Sequence, residues 1–495
     1  MNVLLVYPVY PRDAFWSLYG SLKFVSRKAA FPPLGLLTLA AMLPSEWNLK
    51  LVDMNVNQLT DKDIKWADCV FVSAMATQTE SAKNVIRHCN QLGVRVAAGG
   101  PVFITGYEQF AGVDHFVLGE AEAVLDEFVR DFQAGRARRL YVSDKHPEIK
   151  KAAIPMWNLI NTGDYVSLPV QTTRGCPFSC DFCDIIVING QIPRSKEIGQ
   201  VLAELDAIYK TGFRGSVFVV DDNFVGNRRY TRELLAEIIK WQKAKNYPFK
   251  FFTQASINLA DDELLMDLMI QARFYSVFVG IETPNKAGLA ECGKNQNVKR
   301  DLARCVAKIQ NAGLQVMGGF ILGFDSDPST IFDDMIEFIQ QNGIVVAMVG
   351  ILHPAPGTPL YERLKSENRL LQNTTGDNTD GLLTFKPKMD PEVLLKGYKR
   401  VVKTIYLPEN YHKRIRAFLQ HYRPPKNWKG PSFLDVLAVL LSVWHLGIME
   451  KNQEVRRFYW RDLFLAREFP GTFAAIVAQC IHGAHFMEVV KTKGF

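Results

Sequence analysis

Residues 172–184 read TTRGCPFSCDFCD, placing three cysteines, Cys176, Cys180 and Cys183, on one short stretch directly after the apolar run LPV. A structural zinc site closes its tetrahedron with four protein ligands, usually from two cysteine pairs in different parts of the chain. There is no second CxxC, and His88, His115 and His353 lie too far along the chain to be assigned as a fourth ligand, so zinc stays open only as the weaker reading. Redox chemistry of a CxxC pair would use Cys180 and Cys183 and leave Cys176 without a role. Three thiolates on one loop suit a four-iron cluster, in which they hold three irons and leave the fourth open to a small molecule.

Working outward, six apolar runs follow one another between about 166 and 390: LPVQTTRG, SVFVVDD, FKFFTQAS, SVFVGIE, QVMGGFILGF and VVAMVGILHP. Segments of helical periodicity such as EIGQVLAELDAIYKTG and DELLMDLMIQA separate them. Six strand–helix units in this order predict a partial version of the parallel barrel, whose sites lie at the carboxyl ends of the strands. The cysteine run follows the first strand and therefore falls on that face.

CxxxCxxC with an aromatic residue before the last cysteine, here Phe182, resembles the signature of the radical S-adenosylmethionine enzymes. The resemblance implies that Cys176, Cys180 and Cys183 bind a 4Fe-4S cluster whose open iron chelates S-adenosylmethionine, which is then cleaved to a 5′-deoxyadenosyl radical. It also implies roles for the later strand ends. Asp221 or Asp222 of DDNF would hold the methionine amine, in place of the family's commoner Gly-Gly-Glu. Gln254, Ser256 and Glu282 would meet the ribose hydroxyls, and Gly319 and Gly323 of GGFILGFD would let adenine approach the backbone.

Residues 1–140 carry a second set of short Val- and Leu-rich runs, NVLLVYP, NLKLVDM, CVFVSAM, VRVAAGG and HFVLG, alternating with helical stretches such as PLGLLTLAAML. Fully apolar strands separated by single helices predict an α/β doubly wound, Rossmann-like parallel sheet, with ligands beyond the carboxyl ends of its strands. A domain of this kind placed before such a barrel resembles the cobalamin-binding domain of one large subclass. The candidate cobalamin contacts are Asn55, Ser73, Thr77, Gly99, Gly100, Gly119 and Glu120. One departure is informative: VDMNVNQ has Asn55 and Gln58 where cobalt-ligating members carry the His and Gly of DxHxxG, so imidazole ligation from this loop is excluded.

Residues 141–165 are polar and irregular and suit a linker, with the barrel at 166–390 and a helical extension at 391–495. That extension holds 17 Lys+Arg against 8 Asp+Glu, a net 17 − 8 = +9, so the whole chain's +7 leaves −2 for the rest. Its most apolar stretch, FLDVLAVLLSVWHLGIM at 433–449, is 17 residues long and contains Asp435 and His445. A buried or surface-lying helix is expected there rather than a membrane span. The remaining cysteines, Cys69, Cys89, Cys292, Cys305 and Cys480, are read as core residues, and Trp428, Trp444 and Trp460 as core or interface residues.

The N-terminus lacks the basic start, long apolar region and cleavage site of a secretory signal, so a cytoplasmic location is expected. No stripe of Lys/Arg with interleaved aromatics marks a nucleic-acid face. The whole chain resembles the branch that includes hopanoid methylases and bacteriochlorophyll side-chain methylases. This implies C-methylation of an unactivated carbon on a large apolar substrate, through the deoxyadenosyl radical and methylcobalamin. An electron donor such as flavodoxin or ferredoxin and peripheral membrane contact through the C-terminal region go with it. Ring cyclisation or rearrangement without net methylation is the alternative. No general base is nominated, because a hydrogen that leaves as an atom needs none.

Overall fold

The computed structural model describes residues 1–143, 145–372, 376, 377, 379–425 and 433–495. Trp428 lies outside them.

Six parallel strands form the first sheet: β1 Asn2–Tyr7, β2 Asn48–Asp53, β3 Cys69–Ser73, β4 Arg95–Gly99, β5 His115–Leu118 and β6 Leu140–Val142. Their order is β2-β1-β3-β4-β5-β6, the doubly wound pattern in which the chain reverses direction across the sheet beside β1. The central strands are apolar on both faces because helices cover both: Val3 and Leu5 pack into one core, Leu4 and Val6 into the other. Strand β6 pairs with β5 from Phe116–Leu140 to Leu118–Val142 and was not expected. It carries the sheet past residue 140, into the stretch read as linker.

That linker is also more ordered than its composition suggested. Ile149, Trp157 and Tyr165 are buried in it. The Tyr165 hydroxyl donates to Asp53 at 3.0 Å, and the backbone of Met156 bonds that of Leu37. An irregular backbone here is anchored by side chains rather than by a ladder.

The second sheet comprises β7 Ser167–Val170, β10 Gly215–Val219, β11 Phe249–Ala255, β12 Phe274–Glu282, β13 Gln315–Leu322 and β14 Ala347–Ile351, all parallel and in sequence order. This is the expected open (β/α)6 arc. Val217, Phe251 and Val277 point outward into the core under the helices, whereas alternation places Phe218, Phe252, Phe278 and Met317 on the concave face. Between β7 and β10 a two-residue ribbon, β8 Thr173–Arg174 with β9 Arg194–Ser195, pairs antiparallel and frames the cysteine loop.

Residues 8–33, between β1 and its first long helix, leave the N-terminal sheet and reach across the barrel. Phe31 meets Phe218 and Phe252, and Trp16 meets Phe278, at ring-centre distances of 5.2–6.2 Å. The same segment is held from behind by the C-terminal helix Phe473–Thr492, where His485 Nδ1 accepts from the Gly20 amide at 3.2 Å.

The C-terminal region is helical, as expected: Pro391–Ile405, Pro408–His421, Phe433–Ser442 continuing as π turns over Val443–Ile448, Gln453–Glu468 and Phe473–Thr492. Asp390 caps the first by accepting from the Glu392 and Val393 amides, with Pro391 preset for the opening turn. Arg414, fully buried, donates to the carbonyls of Val345 and Ile405 and so ties this region to the barrel. The stretch 433–449 is the expected surface-lying helix, and Val436, Leu440, Trp444 and Ile448 form an exposed apolar stripe at four-residue spacing. Of the two alternatives for Trp444 and Trp460, core or interface, their exposures of 51% and 39% leave the interface one. Among the described residues one helix, Phe473–Thr492, is long and apolar enough to cross a membrane, and 61% of its apolar window is buried inside the fold.

Candidate functional site

The cysteine loop is fixed at both ends. Gly175 has φ +94°, and a Cβ there would lie 2.9–3.1 Å from the carbonyls of Ile192, Gly190 and Asn189, so only glycine lets the chain turn into the loop. Cys176 N donates to the Gly190 carbonyl and Asp181 N to the Cys292 carbonyl. Phe182 packs on a small apolar cluster with Phe324 and Leu360, which explains the aromatic residue before the last cysteine. Cys180 is buried, while Cys176 and Cys183 are half-buried. Burial pushes all three thiols up, Cys183 to about 12, so thiolates here need a cationic partner.

Asp221 and Asp222 have separate fates. Asp221 is fully buried and accepts from Thr172 N at 2.6 Å and from the hydroxyls of Thr172 and Thr173. Burial pushes its pKa up to about 6 despite these donors. Asp222 is less buried, and its Oδ2 accepts from Gly175 N at 2.7 Å and Asn189 Nδ2 at 3.0 Å. Next to them Asn223 spans Cys176 Sγ, at 3.8 Å, and Ser256, at 3.2 Å. Ser256 is thereby committed to Asn223 and Asn258, and Gln254 is the partly exposed member of TQAS.

Glu282 ends β12 with φ +68°, a strained conformation for a side-chain-bearing residue, next to a register shift between Gly280 and Glu282. Its carboxylate forms a short ion pair with buried Lys294. Burial works against the Lys294 ammonium, but the charges of Glu282 and Cys180 outweigh it and raise its pKa. Gln296 Nε2 lies 3.8 Å from Cys180 Sγ, and Asn297 Nδ2 donates to the carbonyls of Gly280 and Ile281. Sequence reading missed Asn223, Lys294 and Gln296. Asn223 stood inside DDNF, but KNQN follows a short helix and carried no signal of its own.

The two barrel glycines have local causes. The space for a Cβ at Gly319 is taken by the Phe278 ring at 2.8 Å, and Gly323 adopts φ +102° while its amide donates to Asp327.

A crevice of about 300 Å³ opens between the N-terminal sheet and the cysteine loop. Ser73, Gly99, Gly100, Gly119 and Glu120 line it, together with Gln171, Arg174 and Lys196 from the barrel side. Asn55 and Thr77 do not. Asn55 is spent on the turn, accepting from Tyr10 N and donating to Pro8 O and Asp53, and Thr77 packs beneath Gly376. Gly35, not anticipated, lines the crevice from the helix Leu34–Ala40, and a Cβ there meets nothing within 4 Å. Gly119, at φ +87°, is almost as open.

Glu120 lines the crevice and at the same time turns its carboxylate to the arginines that flank the cysteine loop. It accepts from Arg174 at 2.6 Å and from Arg194 at 2.6 and 3.0 Å, and Glu122 binds Arg174 at 2.7 and 3.1 Å. Burial opposes both carboxylates, but the guanidinium groups outweigh it and lower their pKa values.

Residues 22–129 match the B12 binding domain, residues 170–339 the radical SAM superfamily, and residues 358–493 a domain of unknown function (DUF4070). An uncharacterized methyltransferase of Synechocystis sp. is 40% identical over 99% of this chain and 92% of its own. The hopanoid C-2 methylase of Rhodopseudomonas palustris is 32% identical over 90% of this chain and 86% of its own. The chain belongs to the cobalamin-binding radical S-adenosylmethionine methyltransferases. A bacteriochlorophyllide d C-12(1)-methyltransferase of Chlorobaculum tepidum is 25% identical over 82% of this chain and 88% of its own. The radical S-adenosylmethionine methyltransferase TsrM of Kitasatospora setae, solved with cobalamin and a [4Fe-4S] cluster, has the same fold: TM-score 0.62 at 14% identity, covering 100% of this chain and 99% of that one.

The cofactors of this methyltransferase are a 4Fe-4S cluster, S-adenosylmethionine and cobalamin, and its residues fit them. Among the described residues no three His, Cys, Asp or Glu side chains converge on an ion-sized point. A cluster does not ask for that, since each of its thiolates takes a different iron. Gly35 and Gly119 leave open, side-chain-free walls in the crevice, a cradle that a Cβ would narrow.

Proposed function

We propose that this enzyme methylates an unactivated carbon of a large apolar ring substrate, hopanoid-like or tetrapyrrole-like. The observation that carries the reading is the aromatic concave face of the barrel. Phe218 and Phe252 stack in parallel at 4.5 Å, and Phe31, Phe278 and Trp16 extend the wall. Such rings supply apolar area and shape rather than charge, which suits a hydrocarbon skeleton.

The cofactors, when bound, supply hydrogen-atom abstraction and methyl donation. On our reading Cys176, Cys180 and Cys183 hold the cluster. Asp222 is the carboxylate for the methionine amine, because Asp221 is consumed by the Thr172–Thr173 turn. Gln254 and Glu282 face the ribose, with Lys294 fixing the orientation of the Glu282 carboxylate. Ser73, Gly35, Gly99, Gly100 and Gly119 bound the cobalamin crevice. The N-terminal segment with Trp16 and Phe31 excludes water from the concave face.

We assign the domains as 1–142, 166–390 and 391–495, with 143–165 a connector whose described residues are ordered. A low-potential donor such as flavodoxin or ferredoxin and a cytoplasmic, reducing setting follow from the cluster chemistry. The stripe Val436, Leu440, Trp444 and Ile448, joined to Trp460 through its indole bond to the Gly447 carbonyl at 3.1 Å, is the face we assign to a lipid surface. It sits in the C-terminal region of net charge +9, as peripheral binding to anionic lipid requires.

The test is anaerobic reconstitution with iron, sulfide and hydroxocobalamin, then product analysis with S-adenosylmethionine, reductant and a hopanoid. A methylated hopanoid with both 5′-deoxyadenosine and S-adenosylhomocysteine supports the reading. Deoxyadenosine without S-adenosylhomocysteine would point to ring cyclisation or rearrangement instead.

A further inference from the structure

The crevice and the cysteine loop share a wall of four charges. Arg174 and Arg194 are directly opposite each other in the β8–β9 ribbon, a register in which like charges destabilise a two-stranded pair. What makes the arrangement stable comes from the N-terminal domain. Glu120 binds both arginines, Glu122 binds Arg174 through both terminal guanidinium nitrogens, and His146 also meets Glu120 at 2.9 Å. The four side chains are only 6–18% exposed, so these pairs are little screened by solvent.

The ribbon in turn sets the cysteine loop. Arg174 is two residues before Cys176, and Arg194 donates to the carbonyl of Asn189, whose side chain binds Asp222. Gly190, next in the chain, accepts from the Cys176 amide. Glu120, Glu122 and Arg174 at the same time line the crevice. A displacement on one side of this wall therefore reaches the other through two contacts.

We infer that Glu120, Glu122, Arg174 and Arg194 form an interdomain clasp that holds the cluster loop and the cobalamin crevice at one short, fixed separation. The inference rests on the cofactor assignment proposed above. The clasp acts by position: none of its residues needs to touch a reacting atom, and its carboxylates are spent on arginines.

The experiment uses reconstituted holoenzyme carrying Glu120→Gln and Glu122→Gln together, with Glu127→Gln, an exposed ion-paired position of the same domain, as control. Iron and cobalt are determined first. Cob(II)alamin and the reduced cluster are then observed by electron paramagnetic resonance, in which two nearby spins broaden or split each other's signals. The expected result is a coupled spectrum in the parent and the control and loss of that coupling in the double variant at unchanged metal content. Loss of cobalt from the double variant alone also counts for the clasp. An identical coupled spectrum in the double variant overturns it, as does a parent spectrum in which the two signals simply add. A parent that retains no cobalt would instead sink the cofactor assignment. Glu122→Gln alone, which leaves Glu120 on both arginines, is judged by the same criteria if the double variant does not fold.

Discussion

Gly35 is the sharpest place to test the crevice. It occupies the first turn of the helix Leu34–Ala40 with an ordinary helical backbone, and space is empty for 4 Å around its missing Cβ. Glycine in such a position costs stability, since replacing it where no strain arises gains about 0.4–1 kcal/mol through the unfolded state. Gly35→Ala is therefore expected to melt at or above the parent temperature and to bind cobalamin normally. Gly35→Leu keeps the same backbone gain but puts a branched side chain into a crevice of about 300 Å³. Accommodating a ligand against such an intrusion costs about 1–3 kcal/mol by analogy with overpacked cores, or roughly a 5- to 150-fold weaker Kd. Titration of the cluster-loaded protein with hydroxocobalamin, followed by tryptophan quenching, reads this directly, and iron content should stay at about four per chain. If Gly35→Leu binds cobalamin as tightly as Gly35→Ala while both remain folded, the crevice is not the cobalamin site.

Replacing Cys176, Cys180 and Cys183 together with Ala should abolish bound iron and all cleavage of S-adenosylmethionine, measured as 5′-deoxyadenosine. Cys480→Ala should do neither, because Cys480 is buried in the C-terminal helices beside Asp462. Acid stability should depend on His485, which is buried and held neutral: its Nδ1 accepts from Gly20 and its Nε2 meets the Phe15 carbonyl at 3.0 Å. Burial pushes its pKa down to about 4 from an ordinary 6.5, against the raising effect of its hydrogen bonds to the Phe15 and Ala14 backbone. Below pH 6.5 the unfolded chain takes up the proton and the native one does not, so this contribution is complete above 6.5 and is lost as the pH falls toward 4. It is worth at most roughly 3 kcal/mol. Chemical denaturation of His485→Gln at pH 7 and pH 5 should show a smaller difference than the parent, and an equal difference would remove His485 from the account. Trp444→Ala with Leu440→Ala should weaken flotation with anionic phospholipid vesicles while leaving the melting temperature near that of the parent, since both side chains are largely exposed.

The two parallel sheets were legible because each central strand is a run of Val, Leu and Phe closed by a turn residue, and the barrel's strand ends carried recognisable residue types. What escaped notice had a different physical origin. Strand β6 has three residues and follows the charged RARR, so it carries no periodicity; its pairing comes from the exposed edge of β5. The β8–β9 ribbon puts two arginines face to face, which no strand propensity would suggest, and it exists because Glu120 and Glu122 arrive from 50 to 75 residues upstream. Strand ends gave the right neighbourhood but not the right direction. Asn55 stands where a ligand contact was expected and is turned away by Tyr10 and Pro8, whereas Glu120 does line the crevice but spends its carboxylate on two guanidinium groups.

The path of residues 8–33 bears on how such a chain can be divided. This segment belongs to the first sheet by sequence, yet its aromatics complete the barrel's inner wall, and its backbone is bound by the last long helix of the chain. A gene split in the 143–165 connector would therefore yield two polypeptides that each lack part of the same surface. The downstream piece would present Phe218, Phe252 and Phe278 uncovered, and the upstream piece would leave Phe15, Trp16 and Phe31 without their packing. Each should be insoluble when made alone and should be recovered only when both are synthesised in the same cell, so gene fission or domain exchange in this lineage has to carry the N-terminal segment with the barrel it covers.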